Sequence, residues 1–386
     1  FPEAADNNKL SIGRNRARLA WYFIEPQLVD PSFGGTTSNV KKDVNQHYIR
    51  LVQLQDVFPQ RSYTTLQNAL TTLDLGFYPK QRGPYNFDDQ NVNTDGSLKD
   101  PQARWGGIMR PIEYSDFEAS NVEFIEFWML DPFINNSNPS ANGSMYINLG
   151  NVSEDVMKDS RKFFENGIAA PKNPAQLDQS IWGYIPRFQQ QITRSFDNDP
   201  SARAVQDVGY DGLTDEEEQA FFKVYLDRLA ASFGTSSKVY LDAIADPATD
   251  NFKHFRDAVF DQPTVSAISR YKYFNNPQGN SPIPAANAAV SNAATTLPET
   301  EDINRDNALS ESEDYFQYRI DVQPNMQVGT NFIVSKQVSN VKLPNGNTEP
   351  ETWYQFKIPI REYQQKIGNI ADFRSIRFMR LYLNGF

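Results

Sequence analysis

Val122–Leu130, VEFIEFWML, constrains the fold of this chain more than any other stretch. Alternate side chains of a strand point to opposite faces. Val122, Phe124, Trp128 and Leu130 share one face; Ile125, Phe127 and Met129 share the other. A strand apolar on both faces is usually covered on both, so the spacing predicts a central strand. Ser144–Gly150 follows, with Met145, Ile147 and Leu149 set against Tyr146 and Asn148, the pattern of a half-exposed strand. Pro132, Pro139 and Asn142-Gly143 make the connection between them rich in turn signals.

The other segments supply an order. Arg14–Ile24 reads as a strand with Ala17, Leu19, Trp21 and Phe23 on its inward face, ended by Pro26. Leu70–Tyr78 alternates as a second strand, residues 78–87 read as irregular, and Asp95-Gly96 marks a hairpin-type turn. Beyond Gly150 the pattern turns helical. Ser153–Asn166 is expected to be a helix capped by Ser153 and stopped by Gly167. Thr214–Phe233 has the strongest helix signal, with Thr214 and Glu217 spaced as a capping box, acids in the first turn and Gly234 after the end. Ser236–Ala245 and Thr264–Phe274 are shorter helix candidates, and residues 277–298 read as a linker or long surface loop. Strands return at Tyr315–Val322, Asn331–Lys336, Thr352–Ile360 and Phe373–Leu383.

Neither strand-rich end holds a full set of strands, about five before the helices and four after. Eight or nine is a jelly-roll number. The chain therefore reads as one antiparallel β-sandwich of jelly-roll type. Residues 1–150 give its first part, 151–276 a helical insertion, 277–298 a linker and 299–386 its second part.

A net charge of -11 argues against nucleic acid or an anionic membrane surface as partner. The absence of cysteine excludes disulfides, thiolate zinc sites and cysteine nucleophiles, and the two histidines, His47 and His254, lie far apart in sequence. No HExxH, P-loop, GxSxG or GxGxxG motif occurs. No apolar run reaches the roughly 18 residues of a transmembrane helix. Glu123 and Glu126, three apart on a strand, point to opposite faces and form no acid–base pair. With no nucleophile–base–orienter set, no catalytic activity is expected. The abrupt start at Phe1 and the stop after a strand-like run read as a piece of a longer chain.

Several strings resemble the SprA (Sov) family: RWGGIMRPIEYSDFEASNVEFIEFWMLDPF, YINLGNVSEDVMKDSRKFFENG, PKQRGPYNFD, DVGYDGLTDEEE and LPETEDINRDNALSESEDYFQYRI. That family is the outer-membrane translocon of the type IX secretion system, named for gliding motility. Its members form a very large outer-membrane barrel, whose repeated lipid-facing strands this chain lacks. The resemblance implies a soluble insert of the translocon, at the extracellular or periplasmic face of the outer membrane. The implied partners are the rest of the barrel, secreted substrate proteins and accessory outer-membrane proteins. The strand runs around FIEFWML, TWYQFKIPI and DFRSIRFMRLYL are also similar to galactose-binding-like, carbohydrate-binding jelly rolls. That likeness gives the rival reading, a sugar-binding module at the cell surface.

Two acidic strings carry oxygen spacing suited to Ca²⁺. Asp302, Asn304, Asp306, Ser310 and Glu313 occupy the first, third, fifth, ninth and twelfth positions of a calcium-type loop, with Asn307 at the usual glycine position. The same residues fit a solvated acidic turn with Ser310 and Glu313 as a capping box. In the second string Asp207, Asp211, Asp215 and Glu218 take the first, fifth, ninth and twelfth positions, with Gly212 sixth. Gly209 in third place offers no side-chain ligand, and the acids also suit a helix N-terminus without any metal. Asp197-Asn198-Asp199 nearby would add oxygens. One further expectation is an antiparallel pairing of Val122–Leu130 with Ile376–Leu383. It places Glu123 opposite Arg380 and Glu126 opposite Arg377 in a single register.

Overall fold

The computed structural model describes residues 9–29, 46–61, 69–136, 138–188, 195–197, 199–262, 265–281, 295 and 297–386. Strands β1 (Ala17–Tyr22) and β2 (Asp74–Arg82) pair with each other. The sandwich strands before the insertion are β3 (Trp105–Pro111), β4 (Phe124–Leu130) and β5 (Gly143–Asn151). Two short strands, β6 (Leu177–Gln179) and β7 (Tyr184–Pro186), form a small pair within the insertion. After it come β8 (Asp314–Val322), β9 (Ile333–Lys342), β10 (Thr348–Pro359), β11 (Gln365–Ile367) and β12 (Phe378–Asn384). One sheet has the order β11-β8-β5-β12-β3 and the other β4-β10-β9, and every pairing is antiparallel. The chain is mainly β, an antiparallel sandwich interrupted by a segment that carries the longer helices. Each sandwich strand from before the insertion pairs with a strand from after it: β3 and β5 with β12, β5 with β8, and β4 with β10.

Period-2 alternation builds the sandwich core. Met145, Ile147 and Leu149 of β5 and Phe316, Tyr318 and Ile320 of β8 meet Tyr354, Phe356 and Ile358 of β10 in one buried cluster. Phe127 of β4 stacks on Phe356 at a centroid distance of 4.9 Å. The buried Tyr318 hydroxyl donates to the Ile360 carbonyl, so that polar group is not left unpaired. Each such side chain contributes on the order of 1.5–3 kcal/mol by leaving water.

The structure corrects the expectation for Val122–Leu130. β4 is an edge strand, and it lies in the other sheet from β12. Its second apolar face is covered instead by Val52, Val57, Phe58 and Leu70, which pack on Trp128, Leu130 and Trp353. The proposed glutamate–arginine register therefore does not form. Glu126 stands opposite Lys357 and accepts from Gln355 Nε2 at 2.7 Å. Arg380 donates to both Glu313 oxygens at 2.9 and 2.8 Å, and Arg377 to Asp306 at 2.8 Å.

The inward face of β1 is also the reverse of the expectation. Ala20, Tyr22 and Ile24 are buried against Phe255, Ala267 and Tyr271, whereas Trp21 and Phe23 are exposed. Arg18 turns inward too, donating to the Lys272 carbonyl at 3.2 Å and Asn276 Oδ1 at 3.3 Å. β2 runs through Pro79 to Arg82, where an irregular segment was expected. The register jumps from Tyr78 opposite Arg18 to Arg82 opposite Ala17, so Pro79 falls in the irregularity and costs no ladder bond.

Short helices α1 (Pro26–Val29), α2 (Leu54–Val57) and α3 (Pro200–Arg203) precede the longer ones, α4 (Asp215–Phe221), α5 (Lys223–Phe233) and α6 (Lys238–Ala245). The stretch expected as one helix over Thr214–Phe233 is thus two, broken at Phe222. Ser237 caps α6. Of Thr264–Phe274 only Ile268–Tyr271 is helical, as a single 3-10 turn, and Thr264 lies outside the described residues.

Ser153–Asn166 is not a helix. Its short polar side chains bond the local backbone instead: Asp155 accepts from the Ser160 N–H at 2.9 Å and Asp159 from the Arg161 N–H at 3.0 Å. Lys158 and Ser160 sit at φ of 55° and 61°. Two buried glutamates then clasp this loop to residues 299–313. Glu301 accepts from the N–H groups of Val156, Met157 and Phe163, and Glu154 from those of Ile303, Asn304 and Ser310. Of the expected linker, residues 282–294 and 296 lie outside the described residues. Its start is packed rather than a surface loop, since Asn280 and Ser281 are buried.

The helical segment packs on the region before the sandwich. Tyr85, Phe87, Val92 and Leu98 share a core with Trp182, Leu213, Phe222, Tyr225 and Leu229. That packing brings together the segments that carry the acidic cluster described next.

Candidate functional site

The N-terminus of α4 is fixed by a reciprocal cap. The Thr214 side chain accepts from the Glu217 N–H at 3.4 Å, and Glu217 Oε2 accepts from the Thr214 N–H at 3.0 Å. Asp215 and Glu218, three residues apart, then project from one helix face. Opposite them lies the turn after α6, where Glu218 Oε2 accepts from the Ala248 N–H at 2.8 Å and Asp246 Oδ1 from the Asp250 N–H at 3.1 Å. The loop before α4 supplies Asp211, whose Oδ1 accepts from the Leu213 N–H at 3.0 Å.

Carboxylate oxygens of Asp211, Glu218 and Asp250 all lie within 4.8 Å of one another, and so do those of Asp215, Glu218 and Asp246. Glu218 belongs to both groups. Asp211, Glu218 and Asp250 are 0% exposed. Burial pushes all three carboxyls well above the usual range, and repulsion from neighbouring carboxylates adds to it. Asp215 and Asp246 are raised by burial as well, the latter opposed by the charges of Arg82 and Arg18. Asp211 Oδ2 is enclosed without any hydrogen-bond partner. The Gln278 side-chain N–H₂ donates to Glu218 Oε1 at 3.2 Å and to Asp250 Oδ1 at 3.3 Å. Tyr85 donates its hydroxyl to Asp250 Oδ2 at 2.8 Å and accepts from the Tyr210 N–H at 2.7 Å.

Gly209, the residue that offered no ligand, has a steric role. It sits at φ of 70°, and a Cβ there would come within 2.2 Å of Asp250 Oδ2. Its hydrogen lets the loop close over the cluster.

The second acidic string thus contributes Asp211, Asp215 and Glu218 to one site. Asp207 turns elsewhere, accepting from the N–H groups of Gly279, Asn280 and Ser281 at 2.9–3.2 Å. Asp197 and Asp199 serve the local backbone up to Ser201, and Asn198 lies outside the described residues. Sequence reasoning missed Asp246 and Asp250. Their signal was faint, two acids four residues apart in DPATD just after a helix.

In the first string, Asp302, Asn304 and Asp306 are gathered in one turn. Asp302 accepts from the N–H groups of Asp306 at 3.1 Å and Asn307 at 2.8 Å, with Lys162 Nζ 3.6 Å away. Asp306 faces Arg377, Glu313 faces Arg380, and Ser310 bonds Glu154 through its backbone. Through Arg377 and Arg380, Asp306 and Glu313 tie the loop to β12 and the residue just before it.

The cluster offers only hard oxygen ligands, with no histidine or cysteine in either group of three. It is sealed from solvent at its centre, which does not suit carboxylates that protonate a diffusing substrate. Among the described residues no helix is long and apolar enough to cross a membrane. Residues 224–386 match the family model SprA_N, described as motility related/secretion protein. That span begins in α5 and takes in Asp246, Asp250 and the second half of the sandwich. The strings at 104–133 and 146–167 lie outside it. No curated protein matches the chain.

Proposed function

We propose, on the premise that the chain belongs to the SprA family of motility-related secretion proteins, that it is a non-catalytic insert of a protein-export translocon. In this reading it shapes or gates the export path at the outer membrane, and its partners are the translocon barrel, passing substrate proteins and accessory envelope proteins. The observation that carries the reading is where the family match falls. It covers β8 to β12, and β8, β10 and β12 of these pair with β3, β4 and β5, so the matched region completes its two sheets with strands from before the insertion. The family is described by motility and secretion rather than by a catalysed reaction.

The test is genetic. Deleting the gene for the whole protein should abolish export of the secreted proteins and surface motility together. Restoring it should return both. Unchanged export in the deletion strain would overturn the reading.

A further inference from the structure

We infer that the Asp211–Glu218–Asp250 cluster is a calcium site, with Asp215 and Asp246 as its flanking acids. Calcium bonds oxygens at about 2.3–2.6 Å, so two ligands on opposite sides of the ion stand about 5 Å apart. In each group of three the carboxylate oxygens lie within 4.8 Å of one another, inside that span. Two further observations point to an ion rather than to a merely buried acidic patch. Asp211 Oδ2 is fully enclosed and has no donor. Among the described residues the side-chain donors to Asp250, the Tyr85 hydroxyl and the Gln278 amide, are both neutral. Buried carboxylates on this scale require a counter-charge or protons. The ligand set, all oxygen with no nitrogen or sulfur, selects a hard cation, and its several protein carboxylates favour Ca²⁺ over Mg²⁺, which keeps more of its waters.

The ligands come from the loop before α4, from α4 itself and from the turn after α6, so a bound ion ties these three segments together at one point. This inference concerns the insertion and stands or falls apart from the export reading.

The experiment uses the chain with millimolar CaCl₂, MgCl₂ or EDTA, with thermal unfolding and Tb³⁺ luminescence as readouts. Tyr85 and Tyr210 lie close enough to sensitise Tb³⁺ bound in the cluster. Calcium at a hundredfold excess over its Kd should raise Tm by about 3 °C for a chain of this size, with a smaller rise for Mg²⁺. Glu218→Gln, which removes one charge from both groups, should lose the Ca²⁺ shift and the Tb³⁺ signal. Asp215→Asn, at the exposed side, should weaken both and provides a second variant if Glu218→Gln fails to fold. Identical melting in Ca²⁺ and EDTA would overturn the inference and leave a cluster neutralised by protons. A Ca²⁺ shift unchanged in both variants would overturn it too, by placing the ion elsewhere.

Discussion

Replacing Glu351 with alanine should undo the docking of residues 46–57 on the outer sheet. Glu351 on β10 is 0% exposed. Its Oε1 accepts from Arg50 Nε at 2.6 Å and lies 3.0 Å from His47 Nδ1, while Oε2 accepts from Arg50 NH2 and, at 3.3 Å, from Trp353 Nε1. Arg50 also reaches Asp56 at 2.7 Å, and Asp56 closes the capping box of α2. Truncating one partner of a buried charge pair costs about 3–5 kcal/mol, because the other is left desolvated. Arg50 keeps Asp56, so the lower end, about 3 kcal/mol, is expected for Glu351→Ala. Replacing both charges by apolar residues, Arg50→Met with Glu351→Leu, should cost much less than the two single truncations together. Urea unfolding followed by tryptophan fluorescence reads this directly, since Trp128 and Trp353 border the docked segment. Hydrogen exchange over residues 46–57 should rise in Glu351→Ala ahead of global unfolding. A loss below about 1 kcal/mol, or a double variant as destabilised as the sum of the single ones, would refute the reasoning.

Further outcomes follow from other sites. Burial raises the Asp74 carboxyl from 3.8 to about 6 despite a hydrogen bond from Thr72. The folded state therefore holds this proton longer than the unfolded one, and stability should fall as pH rises from about 4 to about 6 and then level off. Asp74→Asn should flatten that slope and stabilise the chain at pH 7 by about 1–2 kcal/mol, measured by urea midpoints across the range. Gly209→Ala should destabilise by several kcal/mol, far more than Gly234→Ala, where φ is also positive but nothing lies within 4 Å of an added Cβ. Phe356→Ala, at 0% exposure in the sandwich core, should cost about 3–5 kcal/mol in the same unfolding assay.

Much of the fold was legible because the sandwich strands alternate cleanly. Met145, Ile147 and Leu149, and Tyr354, Phe356, Ile358 and Ile360, all face the core as their period-2 spacing implies. The misreadings share a physical cause, namely cover or competition from residues distant in sequence. Trp128 and Leu130 are apolar because Val52, Val57, Phe58 and Leu70 lie on them, and no pattern within β4 distinguishes that cover from a second neighbouring strand. Ser153–Asn166 has helix-like spacing, but Asp155 and Asp159 take local N–H groups, and Glu301 reaches across from beyond residue 299. At the acidic site, calcium-loop spacing marked Asp211, Asp215 and Glu218 in the sequence. Asp246 and Asp250 join them only through the packing of α6 against the same core.

The central claim is that this chain acts in the envelope on proteins in transit. The chain has no cysteine, so within it one introduced thiol reports on a single place, and the whole protein without an introduced thiol is the background to subtract. Tyr114→Cys and Val224→Cys sit at sites 78% and 64% exposed, and Val92→Cys, at 0%, is the buried control. In intact cells blocked during export, with each cysteine carried in the whole protein, at least one exposed thiol should react with a membrane-impermeant maleimide or, after outer-membrane permeabilisation, become reactive. It should also cross-link to an exported protein, with the control silent in both. Thiols reached only after the cytoplasmic membrane is broken, with no exported protein captured, would contradict the account.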